Sequence, residues 1–255
     1  MAYNRIPEFQ GFGISHIGRI RQRNEDRIYV HSRGRYALIA DGMGGHNGGK
    51  EASRIAINDI VRFLKDSRQK LYRSDDKQIR SEIARVLKDC ALNIFKQGNE
   101  NPELNQMGTT IVMWLQVGPH IYIAWAGDSR AYLIRDSKIF QVTIDHCLMN
   151  EQLKLGASRK NISKSPYNDV LVKNLGLYPP SEPSVIRCSL KKGDQWLLCS
   201  DGLSGKVKSL DLLNIYNSYQ SDPVIAAQQM VDLAWKRGGE DNISVILMTS
   251  KKGLL

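Results

Sequence analysis

Five short acidic segments punctuate this 255-residue sequence: Arg21-Gln22-Arg23-Asn24-Glu25-Asp26, Ala40-Asp41-Gly42-Met43-Gly44-Gly45-His46, Ala126-Gly127-Asp128-Ser129-Arg130, Cys199-Ser200-Asp201-Gly202-Leu203 and Gly238-Gly239-Glu240-Asp241-Asn242. Most of their acids flank an apolar, β-like run. A carboxylate at a strand end beside a bare carbonyl suits a hard cation with oxygen ligands, and glycine lets another group approach the main chain closely. One such Asp reads as a turn residue. Five in one chain predict convergence on a single site.

The elements that must position these acids are legible in outline. Residues 10–16, 27–31 and 35–40 alternate in the manner of half-buried strands. After the glycines, Ala52, Ile55, Ala56, Ile60, Val61 and Leu64 recur at helical spacing. Beyond a polar stretch, residues 66–77, a second core-facing helix is marked by Ile79, Ile83, Val86, Leu87, Cys90, Ala91, Ile94 and Phe95. Residues 109–117, 120–126, 130–135 and 138–143 predict an antiparallel meander turning at Gly118-Pro119, Gly127-Asp128 and Asp136-Ser137. That pattern excludes a doubly wound parallel sheet, which would place helices between the strands. From about 145 to 184 clear periodicity is lost. A strand over 195–199, helices begun by Ser209 and by Asp222-Pro223, and a last strand over 243–249 complete the chain.

With 42% hydrophobic residues the chain can bury a sizeable core as one domain. No run approaches the ~20 apolar residues of a membrane span, and the N-terminus has no apolar stretch of signal-peptide type. A cytoplasmic protein is expected. Cys90, Cys147, Cys188 and Cys199 lack C-x-x-C spacing and predict free thiols, not zinc or disulfides. The net charge of +10 is spread through the chain, including Arg19, Arg21, Arg23, Arg27, Arg33 and Arg35. Without a nucleic-acid motif, it predicts a cationic face for phosphorylated, acidic partners and no nucleic-acid binding.

Taken in order, Ser15-His16-Ile17-Gly18-Arg19-Ile20-Arg21, Asn24-Glu25-Asp26, Asp41-Gly42-Met43-Gly44-Gly45-His46, Gly108-Thr109-Thr110, Gly127-Asp128-Ser129-Arg130-Ala131-Tyr132, Thr143-Ile144-Asp145-His146, Ser200-Asp201-Gly202-Leu203 and Asp241-Asn242-Ile243-Ser244-Val245 carry a resemblance. The set resembles the metal-dependent protein phosphatases, the type 2C serine/threonine phosphatases, in their short bacterial form. The resemblance implies an α+β fold: a four-layer α/β/β/α sandwich of two antiparallel sheets packed face to face and flanked by helices. It implies a single catalytic domain over 1–255, with a core at about 10–249 and a flap-like segment at about 145–184. In that segment Val172-Lys173-Asn174-Leu175-Gly176 stands where the family has Thr-Arg-Ala-Leu-Gly.

The resemblance also implies a chemistry. Phosphate monoesters repel nucleophiles through their own charge, and two divalent cations ~3.5–4 Å apart overcome this by activating water and neutralising phosphoryl oxygens. All-oxygen ligands select Mn²⁺ or Mg²⁺ over zinc. By resemblance, Asp41 bridges both ions, the Gly42 carbonyl binds one, and Asp201 and Asp241 bind the other. Glu25 and Asp26 hold metal-bound waters or ligate directly, and Arg21 clamps the phosphate. Asp128 matches an aspartate that helps hold a third ion, whose water is the expected acid for the leaving group. Many animal members have a His where this chain has Met43, and His46 is expected to be a helix-start residue. Asp145 and His146 are expected to be structural. The implied activity is hydrolysis of phosphoserine and phosphothreonine in proteins by a monomer, opposing a bacterial kinase. Two alternatives are a phosphoprotein-binding pseudophosphatase, which would need lost ligands, and a basic nucleic-acid-associated protein, which a salt-dependent DNA-binding assay would expose.

Overall fold

Strand β3 (Tyr36–Ala40) is buried at every position, so both its faces need cover. The computed structural model, which describes residues 7–44, 47–158 and 165–250, supplies that cover in layers. The strands in chain order are β1 (Phe9–His16), β2 (Arg27–Val30), β3, β4 (Gly42–Met43), β5 (Gly108–Thr109), β6 (Ile111–Val117), β7 (His120–Ala126), β8 (Arg130–Arg135), β9 (Lys138–Gln141), β10 (Ser184–Ser189), β11 (Gln195–Cys199) and β12 (Ile243–Ser250). One sheet has the order β1-β12-β11-β8-β9 and the other β10-β7-β6-β3-β2. Strands β4 and β5 form a small ribbon of their own. Every pairing is antiparallel.

The helices are α1 (Gly48–Asp66), α2 (Arg68–Arg73), α3 (Asp76–Glu100), α4 (Leu148–Lys154), α5 (Asp201–Ser204), α6 (Ser209–Ser218) and α7 (Pro223–Lys236). The period-2 alternation of side chains sorts each strand between two cores. Leu38 and Met113 face α1 and α3, where Ile60, Ile83 and Leu87 close one apolar layer. Val245 and Leu247 face α6 and α7, against Leu212, Met230 and Val231. Their neighbours Ile39, Val112, Ile246 and Met248 point the other way and meet between the sheets, with Trp114 and Trp196. This is the expected α/β/β/α sandwich.

The structure corrects the sequence reading in three places. The four runs after Thr109 are not one meander: β6 and β7 form a hairpin in one sheet, and β8 and β9 a hairpin in the other. The chain crosses between sheets at Gly127, whose φ of 115° only glycine adopts readily and where a Cβ would lie 2.7 Å from Thr110. Local alternation is blind to this, because it cannot tell a partner next in sequence from β11, which pairs with β8 from far along the chain. Second, the polar stretch after α1 contains helix α2, held by burial of Leu71 alone. Third, the aperiodic segment contains α4 and ends in an unforeseen edge strand, β10, on β7. The thiols of Cys90, Cys147, Cys188 and Cys199 are free. No described helix is long and apolar enough to cross a membrane.

Candidate metal centre

Asp41 sits where β3 ends, and its main chain is fastened on both sides. Its N–H donates to Thr110 Oγ1 at 3.2 Å, and its carbonyl accepts from the Thr110 N–H at 2.8 Å and from Thr109 Oγ1 at 2.9 Å. Gly42 then packs directly on the start of α1: a Cβ there would lie 2.1 Å from the Gly49 carbonyl oxygen and 2.7 Å from that of Glu25. Only glycine permits this three-way meeting of backbones.

The other acids arrive from different elements. Asp26 precedes β2 and is 2% exposed; its Oδ2 accepts from Ser200 Oγ at 2.9 Å and Ser244 Oγ at 2.6 Å. Asp201 opens α5 directly after β11, and Asp241 lies just before β12. Asp128 occupies the crossover from β7 to β8. Asp41 is the shared member, close enough to feel the charges of Asp26, Asp201 and Asp128. Arg21 reaches over the group: its Nη2 donates to Asp241 Oδ2 at 2.8 Å, and it also interacts with Glu25 and Asp41. Every predicted site residue among those described therefore falls in one place. His46 lies outside the described residues.

Crowding of like charge shows in the acidities. Burial first, and then the charges of Asp26, Asp201 and Asp128, push Asp41 well above the usual carboxylate range. Burial raises Asp26 to about 6 against the hydrogen bonds from Ser244 and Ser200. Asp128 is raised to about 7 by burial and by Asp201. Asp201 is raised by burial and by Asp241. Glu25 is raised by burial, with Arg21 opposing. Such a cluster is costly without a cation to offset it.

A divalent ion fits this donor set. Asp26 Oδ1 and Asp201 Oδ1 are buried with no hydrogen-bond partner, although buried acceptors ordinarily have one. The donors are all oxygens, which suits Mg²⁺ or Mn²⁺. Among the described residues no three acid, His or Cys side chains already close as a cation cage.

Several positioning residues had no assigned role in the sequence. Asn242, 3% exposed, accepts the Glu25 N–H at 2.7 Å and donates to the carbonyls of Ile17 and Arg23, each at 2.9 Å. It thereby ties the loop bearing Arg21 and Glu25 to β12. Ser200 and Ser244 orient Asp26, and Thr109 and Thr110 fix Asp41. The available signal was adjacency, since each neighbours a site acid or lies within a quoted segment. Asp145 and His146, expected to be structural, make contacts within the fold. Asp145 takes a bidentate pair from Arg130, with a shortest contact of 2.6 Å, and His146 Nδ1 accepts the Gly127 N–H at 3.2 Å.

Comparisons with known proteins identify the family. The family model described as protein phosphatase 2C matches residues 12–245. The serine/threonine phosphatase stp of Listeria welshimeri is 33% identical over 236 residues, covering 91% of this chain and 92% of that protein. The serine/threonine protein phosphatase PstP of Mycobacterium tuberculosis is 30% identical over 90% of this chain and 43% of its own length. Among solved structures, the Streptococcus agalactiae serine/threonine phosphatase superposes with a TM-score of 0.85 at 28% identity, over 95% of this chain and all of that one. The catalytic domain of PstP in complex with two manganese ions gives 0.79 at 27% identity, over 95% and 98%. With a family match spanning nearly the whole sandwich and its cluster of acids, this chain belongs to the protein phosphatase 2C family.

Proposed function

We propose that this chain hydrolyses phosphoserine and phosphothreonine in proteins through a metal-activated water, using Mn²⁺ or Mg²⁺ held by Asp41, the Gly42 carbonyl, Asp201 and Asp241. Metal-dependent dephosphorylation of serine and threonine is the activity that membership of the family brings. The observation that supports these residues is the group of buried, mutually repelling carboxylates around Asp41, two of them with an oxygen left unpaired. When bound, a pair of divalent cations lowers the pKa of water and offsets phosphoryl charge.

The chain's own residues do the rest. Asp41, at the centre of the cluster, would help hold the ions, and Asp26 and Glu25 beside it would accept hydrogen bonds from water at the site. Arg21, on an exposed loop, exchanges Asp241 for the phosphoryl oxygens, because its guanidinium presents a fork suited to either anion. Asp128 would help hold a further ion, whose presence would favour protonation of the leaving alkoxide. A monomeric cytoplasmic enzyme opposing a bacterial kinase is the setting these features fit. The test is hydrolysis of a phosphothreonine peptide with Mn²⁺ and with EDTA. Turnover that survives EDTA would overturn the metal assignment.

A further inference from the structure

The metal centre does not explain the excess of positive charge. Part of that charge collects at the opposite end of β3 and α1. There a cleft of about 840 Å³ is lined by Arg35, which precedes β3, by Lys65 in the last turn of α1, and by Arg68 and Arg73 on α2, against two acids, Glu8 and Asp66. Its volume is that of an ordinary ligand pocket.

The cations in the cleft differ from the arginines of α1 and α3. Elsewhere on α1 and α3, Arg54 pairs with Glu51, Arg62 with Asp59, and Arg85 with Glu82 and Asp89. Among the described residues, Arg35, Lys65, Arg68 and Arg73 make no ion pair. Tyr72, 43% exposed, brings its hydroxyl within 3.4 Å of Arg35 Nη1. The field reaches further: burial, and then the charges of Arg68, Arg33, Arg35 and Lys65, hold His31 below its usual range. Guanidinium and ammonium groups left unpaired around a concavity recognise an oxyanion. Phosphoryl groups meet that description, and among the described residues the acids lining the cleft are Glu8 and Asp66 alone.

We propose that this cleft is a second, non-hydrolytic site that binds a phosphoryl group on a phosphorylated protein segment. The proposal rests on the phosphatase reading only in its choice of a phosphorylated protein as the carrier. A duplex nucleic acid would call for an extended basic track, whereas Arg35, Lys65, Arg68 and Arg73 line one concavity. Arg35 and Asp41 bracket β3, so the two sites stand ~20 Å apart at ~3.3 Å per strand residue. One extended segment spans that gap with about six residues or more. A multiply phosphorylated segment could therefore be held at the cleft while a second phosphate meets the metal centre.

The experiment uses the full chain in EDTA, so that binding is read without turnover. The probe is a fluorescent peptide with two phosphothreonines about ten residues apart, a separation chosen from the extended reach of the chain. Lys65→Glu with Arg68→Glu should weaken binding about tenfold or more, the scale of a lost charge-assisted contact. Lys138→Glu with Lys192→Glu, an equal charge change away from the cleft, should change it little. Arg73→Ala is the milder cleft variant and should show the same loss to a smaller degree. With Mn²⁺ restored, hydrolysis of p-nitrophenyl phosphate should be unchanged in all of them, which separates this proposal from the assignment of the metal centre. Equal losses in the cleft and control variants would reduce the effect to general charge and overturn the proposal. So would inorganic phosphate competing as well as the peptide binds, or duplex DNA binding more tightly than the peptide with the same sensitivity to Lys65 and Arg68.

Discussion

Replacing Asn242 with Ala removes one buried acceptor and two donors from the loop that carries Arg21 and Glu25. The Glu25 N–H loses its partner in a part-buried setting, which costs ~1–3 kcal/mol, and the carbonyls of Ile17 and Arg23, on an exposed loop, lose ~0.5–1 kcal/mol each. The sum is about 2–5 kcal/mol. For a chain of this size that lowers Tm by about 4–20 °C. The larger consequence is expected in catalysis, since a clamp displaced by ~1 Å costs ~100-fold. The assay is kcat/KM on a phosphothreonine peptide together with Mn²⁺ affinity, both measured well below Tm. Leu212→Ala, in the core beneath α6 and far from the loop, costs a similar ~2–5 kcal/mol. It serves as the matched control and should leave kcat/KM intact. If the two variants keep equal activity, Asn242 supports the fold only and the positioning argument fails.

Asp41→Asn should abolish turnover and the rise in Tm that Mn²⁺ gives, about 2.7 kcal/mol at one hundred times Kd, while Tm in EDTA is maintained; near-normal kcat at saturating Mn²⁺ would refute the bridging role. Arg21→Ala should raise KM with little loss of stability, because its pair with Asp241 is 52% and 36% exposed and worth at most ~1 kcal/mol. Arg19→Ala and Arg23→Ala are its controls, and equal losses in all three would indicate general charge. Asp128→Ala should lose far more activity on a phosphothreonine peptide than on p-nitrophenyl phosphate, whose leaving group needs no proton; the same ratio for both substrates would exclude it from protonation. His146, stacked on Trp125, is held down to about 4 by burial and the charges of Lys173 and Lys154, and its Nδ1 must stay unprotonated to accept from Gly127. A depressed His pKa contributes stability that is present above about 6.5 and is lost as pH falls toward 4, by ~3 kcal/mol in all. Urea unfolding of wild type and His146→Gln across that window should differ by this loss, since the raised acids of the site contribute their own pH dependence to both.

The acids were legible because their chemistry is local: an Asp flanked by glycine at the end of an apolar run is visible in a few residues, as at Asp41 and Asp201. The helices α1 and α3 were legible for the same reason, since one face of each repeats at helical spacing. What escaped was set by distant partners. Strand β10 exists because β7 offers an edge some sixty residues earlier, and its own residues, mostly half-buried, show no clean alternation. The division of four strands between two sheets depends on the pairing of β8 with β11. Asn242 escaped because its importance lies in bonds to the main chain of residues 17, 23 and 25, more than two hundred positions away.

That long reach is also the physical basis of the site. Asp41 follows β3 of one sheet, whereas Asp201 follows β11 and Asp241 precedes β12 of the other. Neither sheet alone fixes the separation of these carboxylates. It is set by the apolar layer between the sheets, where Trp114, Val112 and Ile39 meet Trp196, Leu198 and Ile246 with no exposure to solvent. Interiors at this density are bistable at most and do not deform continuously, so the layer acts as a rigid spacer between like charges that repel. The Asp26 carboxylate, held by Ser200 and Ser244 of the opposite sheet, adds a polar tie across the same seam. A fold that buries hydrophobic surface between two sheets therefore holds carboxylates from both sheets at one seam against their mutual repulsion.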